Sequence, residues 1–178
     1  MVPNLFLATR PSPEAAAAGT ALADWIRRDH QLRGNLVKLE NLHVTLVEFF
    51  KLTEREETVL EKVSAAAKRV DLAPFEVNFD RAMSFRVRKD EAVVLTGSDG
   101  VTGLVTLQRD LIGALHKEWL KIPPNPRYTP HMTLLYADRA IPEISVRPLR
   151  WTATEFVFIR SLPGKSTHVV LDRWPLRG

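Results

Sequence analysis

The sequence HVTL at residues 43–46 returns as HMTL at residues 131–134. With 13 threonines and 23 leucines among 178 residues, chance puts this pattern behind a given histidine in roughly 1% of cases. A single strand histidine is usually a packing residue. Two copies among five histidines, both in segments with the pattern of β-strands, indicate a site built in duplicate.

The spacing within each motif has a physical meaning, because successive side chains of a β-strand point to opposite faces. His43 therefore shares a face with Thr45, and His131 shares one with Thr133. Side by side, the two strands would place two imidazoles and two hydroxyls around one small volume. These groups suit a phosphate ester, since in-line displacement at phosphorus needs a base, an acid on the opposite side and hydrogen-bond donors for the other oxygens. Histidine can act as either near neutral pH.

A zinc site made from the two histidines is the sharpest alternative, and it needs a third and usually a fourth ligand. Glu48 follows His43 by five residues, and a regular strand would place its carboxylate on the opposite face. His116 lacks the two-histidine spacing of a metalloprotease helix and is better explained as a cation in the last turn of a helix. The sequence therefore predicts no bound metal.

Helical and extended segments follow one another without a regular βα repeat. Extended segments are predicted at 4–9, 35–39, 43–50, 75–88, 91–96, 131–136, 144–160 and 166–172. Helices are predicted at 14–30, from Thr53 to near Asp71, and at 101–120. A loop is predicted at the proline-rich residues 123–126. This order favours an α+β fold with antiparallel sheet over a doubly wound parallel sheet.

Local signals support several element boundaries. Ser12 followed by Pro13 is typical of a helix start, and the Thr53 to Glu56 spacing is that of a capping box. In the first helix, Leu22, Trp25 and Ile26 are predicted to share the apolar side. A turn is predicted at residues 89–90.

The composition, 45% hydrophobic and 26% charged, is that of a soluble globular protein. The chain has no cysteine, which excludes disulfides and thiolate metal sites and fits a reducing compartment. No leader pattern and no apolar run of about 18 residues is present. We expect a cytoplasmic, monomeric protein that does not enter membranes, with one domain over residues 1–178.

Positive charge is concentrated in the last third of the chain. Residues 1–120 carry 16 Lys and Arg against 17 Asp and Glu, whereas residues 121–178 carry nine against four. A basic face of this kind can attract phosphate-bearing ligands or RNA, although arginine is also an ordinary surface residue.

The paired motifs, the sequence LFLA at residues 5–8 and YTP at residues 128–130 resemble the 2H phosphoesterase superfamily. Within it the chain is most similar to the RNA 2′,3′-cyclic phosphodiesterases, also called 2′-5′ RNA ligases or LigT-like proteins. The resemblance implies a bilobal α+β fold, in which two similar lobes with antiparallel sheets and outer helices each place one motif in a central cleft. It also implies opening of a 2′,3′-cyclic phosphate, on an RNA end or a small cyclic nucleotide, to a 2′-phosphate without metal or cofactor.

By this resemblance His131 activates water as the base, His43 protonates the leaving 3′ oxygen as the acid, and Thr45 and Thr133 bind the phosphate. The reverse assignment of acid and base is equally compatible with the sequence. There are two alternatives. One is a related 2H enzyme that acts on another cyclic nucleotide or on a 2′-5′ oligonucleotide. The other is a module that binds RNA ends with little turnover.

One departure concerns the arginine that several such enzymes carry five residues after the second histidine, where this chain has Tyr136. Tyrosine donates a hydrogen bond but cannot neutralise charge. Arg139 and Arg127 are candidates for the missing cation. His168 lies where many relatives have tyrosine and is a further candidate cleft residue, and Phe6 is a candidate for stacking on a base.

Overall fold

The computed structural model describes residues 4–49, 54–87, 90–123, 125, 127–162 and 167–178. Within these ranges the strands are β1 (Asn4–Thr9), β2 (Gly34–Leu36), β3 (Val44–Phe49), β4 (Phe75–Val87), β5 (Asp90–Thr96), β6 (Met132–Ala137), β7 (Ile144–Ala153), β8 (Glu155–Leu162) and β9 (Thr167–Pro175). The helices are α1 (Pro13–Asp29), α2 (Glu56–Ala67) and α3 (Thr102–Lys117), with a 3-10 turn at Leu39–Asn41.

These nine strands form one sheet, in which eight follow the order β7-β4-β5-β6-β3-β1-β8-β9 and β2 pairs with β6 outside this order. Every pairing is antiparallel. The order is symmetric about its centre: β6 and β3 are followed outward by β5 and β1, then β4 and β8, then β7 and β9. The α+β fold is confirmed, and its two halves are the β1 half (β3, β1, β8, β9) and the β5 half (β6, β5, β4, β7).

The two halves meet at the strands that carry the duplicated motifs. Val44 of β3 pairs with Met132 of β6, and both side chains are fully buried. Since each is the second residue of its motif, the apolar position that was expected to anchor the strand forms the joint between the halves.

The helices build the main core against the sheet. In α1, Gly19 lies so close to the β5 half that a Cβ there would be 3.3 Å from the Cε of Met132. Helix α3 packs against β3 and against α2. A smaller apolar cluster of Phe6, Ala8, Val157 and Ile159 lies apart from this core, in the β1 half.

The structure of α1 confirms one of the sequence predictions for this helix and contradicts another. Ser12 caps α1 as predicted, accepting a hydrogen bond from the amide of Ala15 at 3.2 Å. Trp25 was expected on the apolar side with Ile26, but it is 48% exposed. The prediction is wrong because α1 approaches the sheet through small residues such as Gly19 and Ala23, which turns the bulky indole away from the core.

Helix α2 ends at Ala67 rather than near Asp71, and its expected capping residue, Thr53, lies outside the described residues, as does Lys89 of the predicted turn. The expected extended segment 144–160 is divided into two strands. It breaks because β7 pairs with β4 and β8 pairs with β1, so the chain passes from one half of the sheet to the other. No helix in the described ranges is long and apolar enough to cross a membrane.

Candidate active site

The pairing of β3 with β6 brings the two motifs face to face. Because Val44 lies opposite Met132 in an antiparallel pair, position 43 lies across from Thr133, and position 131 lies across from Thr45. Side chains opposed in this way have Cβ atoms roughly 4.5–5.5 Å apart. The two histidines and two threonines therefore share one sheet face, the site face, opposite the buried side of the joint.

A β-bulge occurs at the same place in both motifs. Leu7 of β1 pairs with Val47 and Ala8 pairs with Thr45, so Leu46 is the extra residue. In the other half, consecutive residues of β5 pair with Leu135 and Thr133, which leaves Leu134 as the extra residue. The fourth position of each motif is thus bulged, and the alternation of side chains shifts by one beyond it.

The bulges bring the fifth residue after each histidine onto the site face. Glu48 pairs with Phe6, two residues from the partner of Thr45, and Tyr136 is placed in the same way in β6. The expectation that Glu48 lies on the opposite face is therefore wrong, because it assumed a regular strand. Partial burial and the carboxylates of Glu48 and Asp90 raise the pKa of Tyr136.

Within the described ranges, no three His, Asp or Glu side chains converge as a metal site.

Both histidine rings are held by the same backbone contact. The Nδ1 of His43 is 2.6 Å from the carbonyl oxygen of Asn41, and the Nδ1 of His131 is 2.8 Å from that of Thr129. A carbonyl oxygen only accepts hydrogen bonds, so each Nδ1 carries a proton. The Nε2 of each ring is the nitrogen left to take up or release a proton.

Aromatic rings support both imidazoles. The ring centroid of Phe6 is 4.9 Å from that of His43, and Phe85 of β4 lies 5.0 Å from His131. The side chain of Phe6 is only 4% exposed, so it forms part of the floor beneath the site. His168, at the start of β9, meets His43 edge to face at 5.1 Å.

Burial and neighbouring cations favour the neutral form of His43. Burial is the main cause that lowers its pKa to about 4; the hydrogen bond to Asn41 opposes this shift, and His168, His131 and Arg10 add to it. The pKa of His131 is also lowered by burial. In the free protein both rings are therefore neutral near pH 7.

Two cavities flank the pair. A cavity of about 360 Å³ lies beside His131 and Thr45 and reaches Gln108 of α3. At its wall Tyr128 donates a hydrogen bond to the carbonyl oxygen of Thr45 at 2.8 Å, which fastens the loop before the second motif to β3. A smaller cavity, of about 170 Å³, lies on the other side and is lined by Arg10, His43 and His168 among others.

The structure does not bring the two expected arginines to these cavities. The guanidinium of Arg139 donates to the carbonyl oxygens of His30 and Gln31, at 2.7 and 2.8 Å, at the C-terminal end of α1. Arg127 is exposed, and its amide binds the side chain of Asn125. Among the residues that the structure describes, Arg10 is a cation that lies beside His43, and sequence reasoning missed it because no motif marks it.

The fold is that of the LigT-type 2H phosphoesterases. A solved structure of a Thermus thermophilus protein is 21% identical with a TM-score of 0.76, covering 98% of both chains. Escherichia coli LigT in its apo form is 23% identical with a TM-score of 0.72, covering 100% of both. Usb1 of Kluyveromyces marxianus is more distant, at 14% identity and a TM-score of 0.52 over 98% of this chain and 97% of its own.

At the level of sequence, the family model described as the 2′-5′ RNA ligase superfamily matches residues 11–165. The chain belongs to this superfamily. No curated protein sequence matches it.

Proposed function

We propose that this protein hydrolyses 2′,3′-cyclic phosphates, at RNA ends or in small nucleotides, to 2′-phosphates. The observation that carries the proposal is the paired geometry of His43 and His131. Each ring is held through Nδ1 by a backbone carbonyl two residues before it, and each lies across the strand pair from the other motif's threonine. Two free Nε2 atoms and two hydroxyls around one volume meet the needs of in-line displacement at phosphorus.

In the proposed reaction Thr45 and Thr133 donate hydrogen bonds to the non-bridging oxygens. The Nε2 of His131 takes a proton from water as its oxygen attacks phosphorus, and the bond from phosphorus to O3′ breaks. His43, protonated at Nε2, gives its proton to O3′, so the product carries a 2′-phosphate and a 3′-hydroxyl. The same step with a 5′-hydroxyl in place of water forms a 2′-5′ phosphodiester bond.

The surroundings of the two rings support this choice of base and acid. His131 lines the larger cavity, which gives the attacking water a route to it. His43 is enclosed by Phe6 and His168, a setting that suits transfer of a proton to a bound oxygen. A bound phosphate anion raises the pKa of His43 toward the range in which it is protonated.

The test is turnover of the four 2′,3′-cyclic mononucleotides and of a short RNA ending in a cyclic phosphate, with and without EDTA. The expected product is the 2′-phosphate, separated from the 3′-phosphate by chromatography, and EDTA is expected to have no effect. His30→Ala is the matched control, since His30 lies at the end of α1. Turnover of 2′-5′ oligonucleotides alone, or binding of RNA ends without turnover, would replace the proposal with the corresponding alternative.

The acid is identified with a substrate that has sulfur at the 3′ bridging position. A thiolate leaves without a proton, so this substrate restores activity to a variant that lacks the acid. Rescue of His43→Ala and not of His131→Ala is expected. The opposite pattern would exchange the two roles.

A further inference from the structure

Arg10 lies directly beside the first catalytic histidine. Thr9 of β1 pairs with Val44 of β3, and the antiparallel register places the next residue, Arg10, across from His43. One N–H of its guanidinium donates to the backbone carbonyl of Glu40. This contact holds the arginine at the end of β1 and leaves the rest of its five donors for another partner.

His168 reaches the same place from the opposite edge of the β1 half. It pairs with Ser161 of β8, and its ring contacts both His43, at 5.1 Å, and Phe6, at 5.4 Å. Arg10, His43 and His168 therefore line one cavity. A water-sized group occupies about 30 Å³. The cavity volume is about 170 Å³, so the cavity has room for a phosphoryl group.

These three side chains carry or can carry positive charge. Glu40 also lines the cavity, and it is the backbone carbonyl of this residue that accepts the hydrogen bond from Arg10. Among the residues that the structure describes, none of the three forms an ion pair. The arginine also lowers the pKa of both histidines. Positive groups held close together without an ion-pair partner repel one another, and a bound anion offsets that repulsion.

We propose that Arg10 and His168 form an anion-binding subsite beside His43, which holds phosphoryl oxygens of the substrate. This inference rests on the proposed function and names the source of charge that Tyr136 cannot supply. The planar guanidinium of Arg10 can donate hydrogen bonds to two oxygens at once, and His168 adds a donor on the other side of the cavity. The phosphoryl group bound there is either the reacting phosphate or the next phosphate along an RNA strand.

The first experiment measures binding of inorganic phosphate by calorimetry, to the wild type and to Arg10→Gln, Arg10→Lys and His168→Gln. A hydrogen bond to a charged group contributes about 1.5–3 kcal/mol, so Arg10→Gln is expected to weaken binding roughly 13- to 160-fold. Arg10→Lys keeps the charge and is expected to retain part of the affinity. Arg33→Gln is the control, because Arg33 is exposed and only its backbone has a described contact.

The second experiment compares KM and kcat for a cyclic mononucleotide and for a dinucleotide ending in a cyclic phosphate. A rise in KM for both substrates in Arg10→Gln places the reacting phosphate in the subsite, and a rise for the dinucleotide alone places the neighbouring phosphate there. Arg127→Gln and Arg139→Gln test the two competing cations. If either of these raises KM while Arg10→Gln does not, the subsite is wrong.

The two proposals fail separately. If the wild type turns over no cyclic phosphate but its binding of inorganic phosphate depends on Arg10, the subsite stands and the proposed function does not. If the wild type is active while Arg10→Gln, folded by circular dichroism, matches it in phosphate binding and KM, only the subsite is refuted.

Discussion

Two backbone carbonyls determine which nitrogen of His43 and of His131 is left for the proposed chemistry. The oxygens of Asn41 and Thr129 accept the Nδ1 protons of His43 and His131, so both rings present Nε2 to the site. The same contact stops each ring from rotating, which keeps the proton-transfer atom in place when substrate binds.

The first prediction concerns these rings. His43→Ala and His131→Ala are each expected to lower kcat by roughly 10² to 10⁴ with the fold retained, because general acid or base catalysis contributes about that factor. Steady-state rates on a cyclic mononucleotide measure the loss, and circular dichroism checks the fold. A near-parental rate in either folded variant would rule out the two-histidine mechanism.

The threonines are expected to matter less than the histidines. Thr45→Val and Thr133→Val each remove one neutral donor at nearly constant volume, and one such hydrogen bond contributes about 0.5–1.5 kcal/mol. This corresponds to roughly a 2- to 13-fold loss in kcat/KM. A loss as large as that of the histidine variants would assign the hydroxyls a direct part in proton transfer.

At the scale of elements, the matching bulges in β3 and β6 shape the site more than the motifs alone do. Each adds one residue after the motif threonine, and this turns Glu48 and Tyr136 toward the site. Behind the sheet, α3 supports β3, and two of its glycines differ sharply in their surroundings.

This difference predicts opposite effects of one substitution within one helix. A Cβ at Gly103 would lie 2.2 Å from the ring of Phe75, whereas a Cβ at Gly113 meets nothing within 4 Å. Gly103→Ala is expected to lower the free energy of unfolding by about 1–3 kcal/mol through overpacking. Gly113→Ala is expected to raise it by up to about 1 kcal/mol, since alanine favours the helix. Denaturant unfolding measures both, and equal effects would contradict the packing of α3 on β4.

At the scale of the whole molecule, the site lies at the joint between two halves of one sheet. Residues from β1, β3, β4, β6 and β9 meet there, and their packing determines the charge state of the histidines. Burial at this joint lowers the pKa of His43, His131 and His168, and this has consequences for both rate and stability.

The pH profile of the rate is expected to be bell-shaped, because one histidine must be neutral and the other protonated. Both pKa values are lowered in the free protein, so the optimum of kcat/KM is expected below about pH 6.5, the ordinary histidine value. Bound phosphate favours the charged rings, which moves the bell of kcat to higher pH. The acidic and alkaline limbs of the profile report apparent pKa values of the two coupled histidines together, and neither limb is assigned to one residue. A flat profile from pH 5 to 9 would refute paired acid and base catalysis.

The same shift makes stability depend on pH. The pKa of His43 is about 4 in the folded chain and near 6.5 when unfolded. Between these values the unfolded chain binds the proton more tightly, so the free energy of unfolding falls as the pH falls through this range.

The size of this effect is expected to be at most about 3 kcal/mol. Urea unfolding of the wild type and of His43→Gln, at pH 7 and pH 4.5, measures it. The variant is expected to lose less stability on acidification than the wild type. An equal loss in both proteins would show that His43 titrates normally in the folded state.

Much of this architecture follows from local patterns. The spacing of histidine and threonine placed His43 with Thr45 and His131 with Thr133 on one face each, since strand alternation is a property of the backbone. The cap at Ser12 and the mixture of elements without βα repeats are also local signals. They predicted the α+β fold, which the structure confirms, and the four residues that are proposed for the centre of the site.

The sequence by itself determined the motifs, their strands and the class of fold, because these depend on periodicities of two and 3.6 residues within short segments. Only the tertiary structure decided the rest. Arg10 comes to His43 through the register of β1 on β3, Glu48 reaches the site face through a bulge, and the segment from residue 144 to 162 divides between two halves of the sheet. Each of these depends on pairing between strands distant in sequence, and that pairing is set by how the whole core packs.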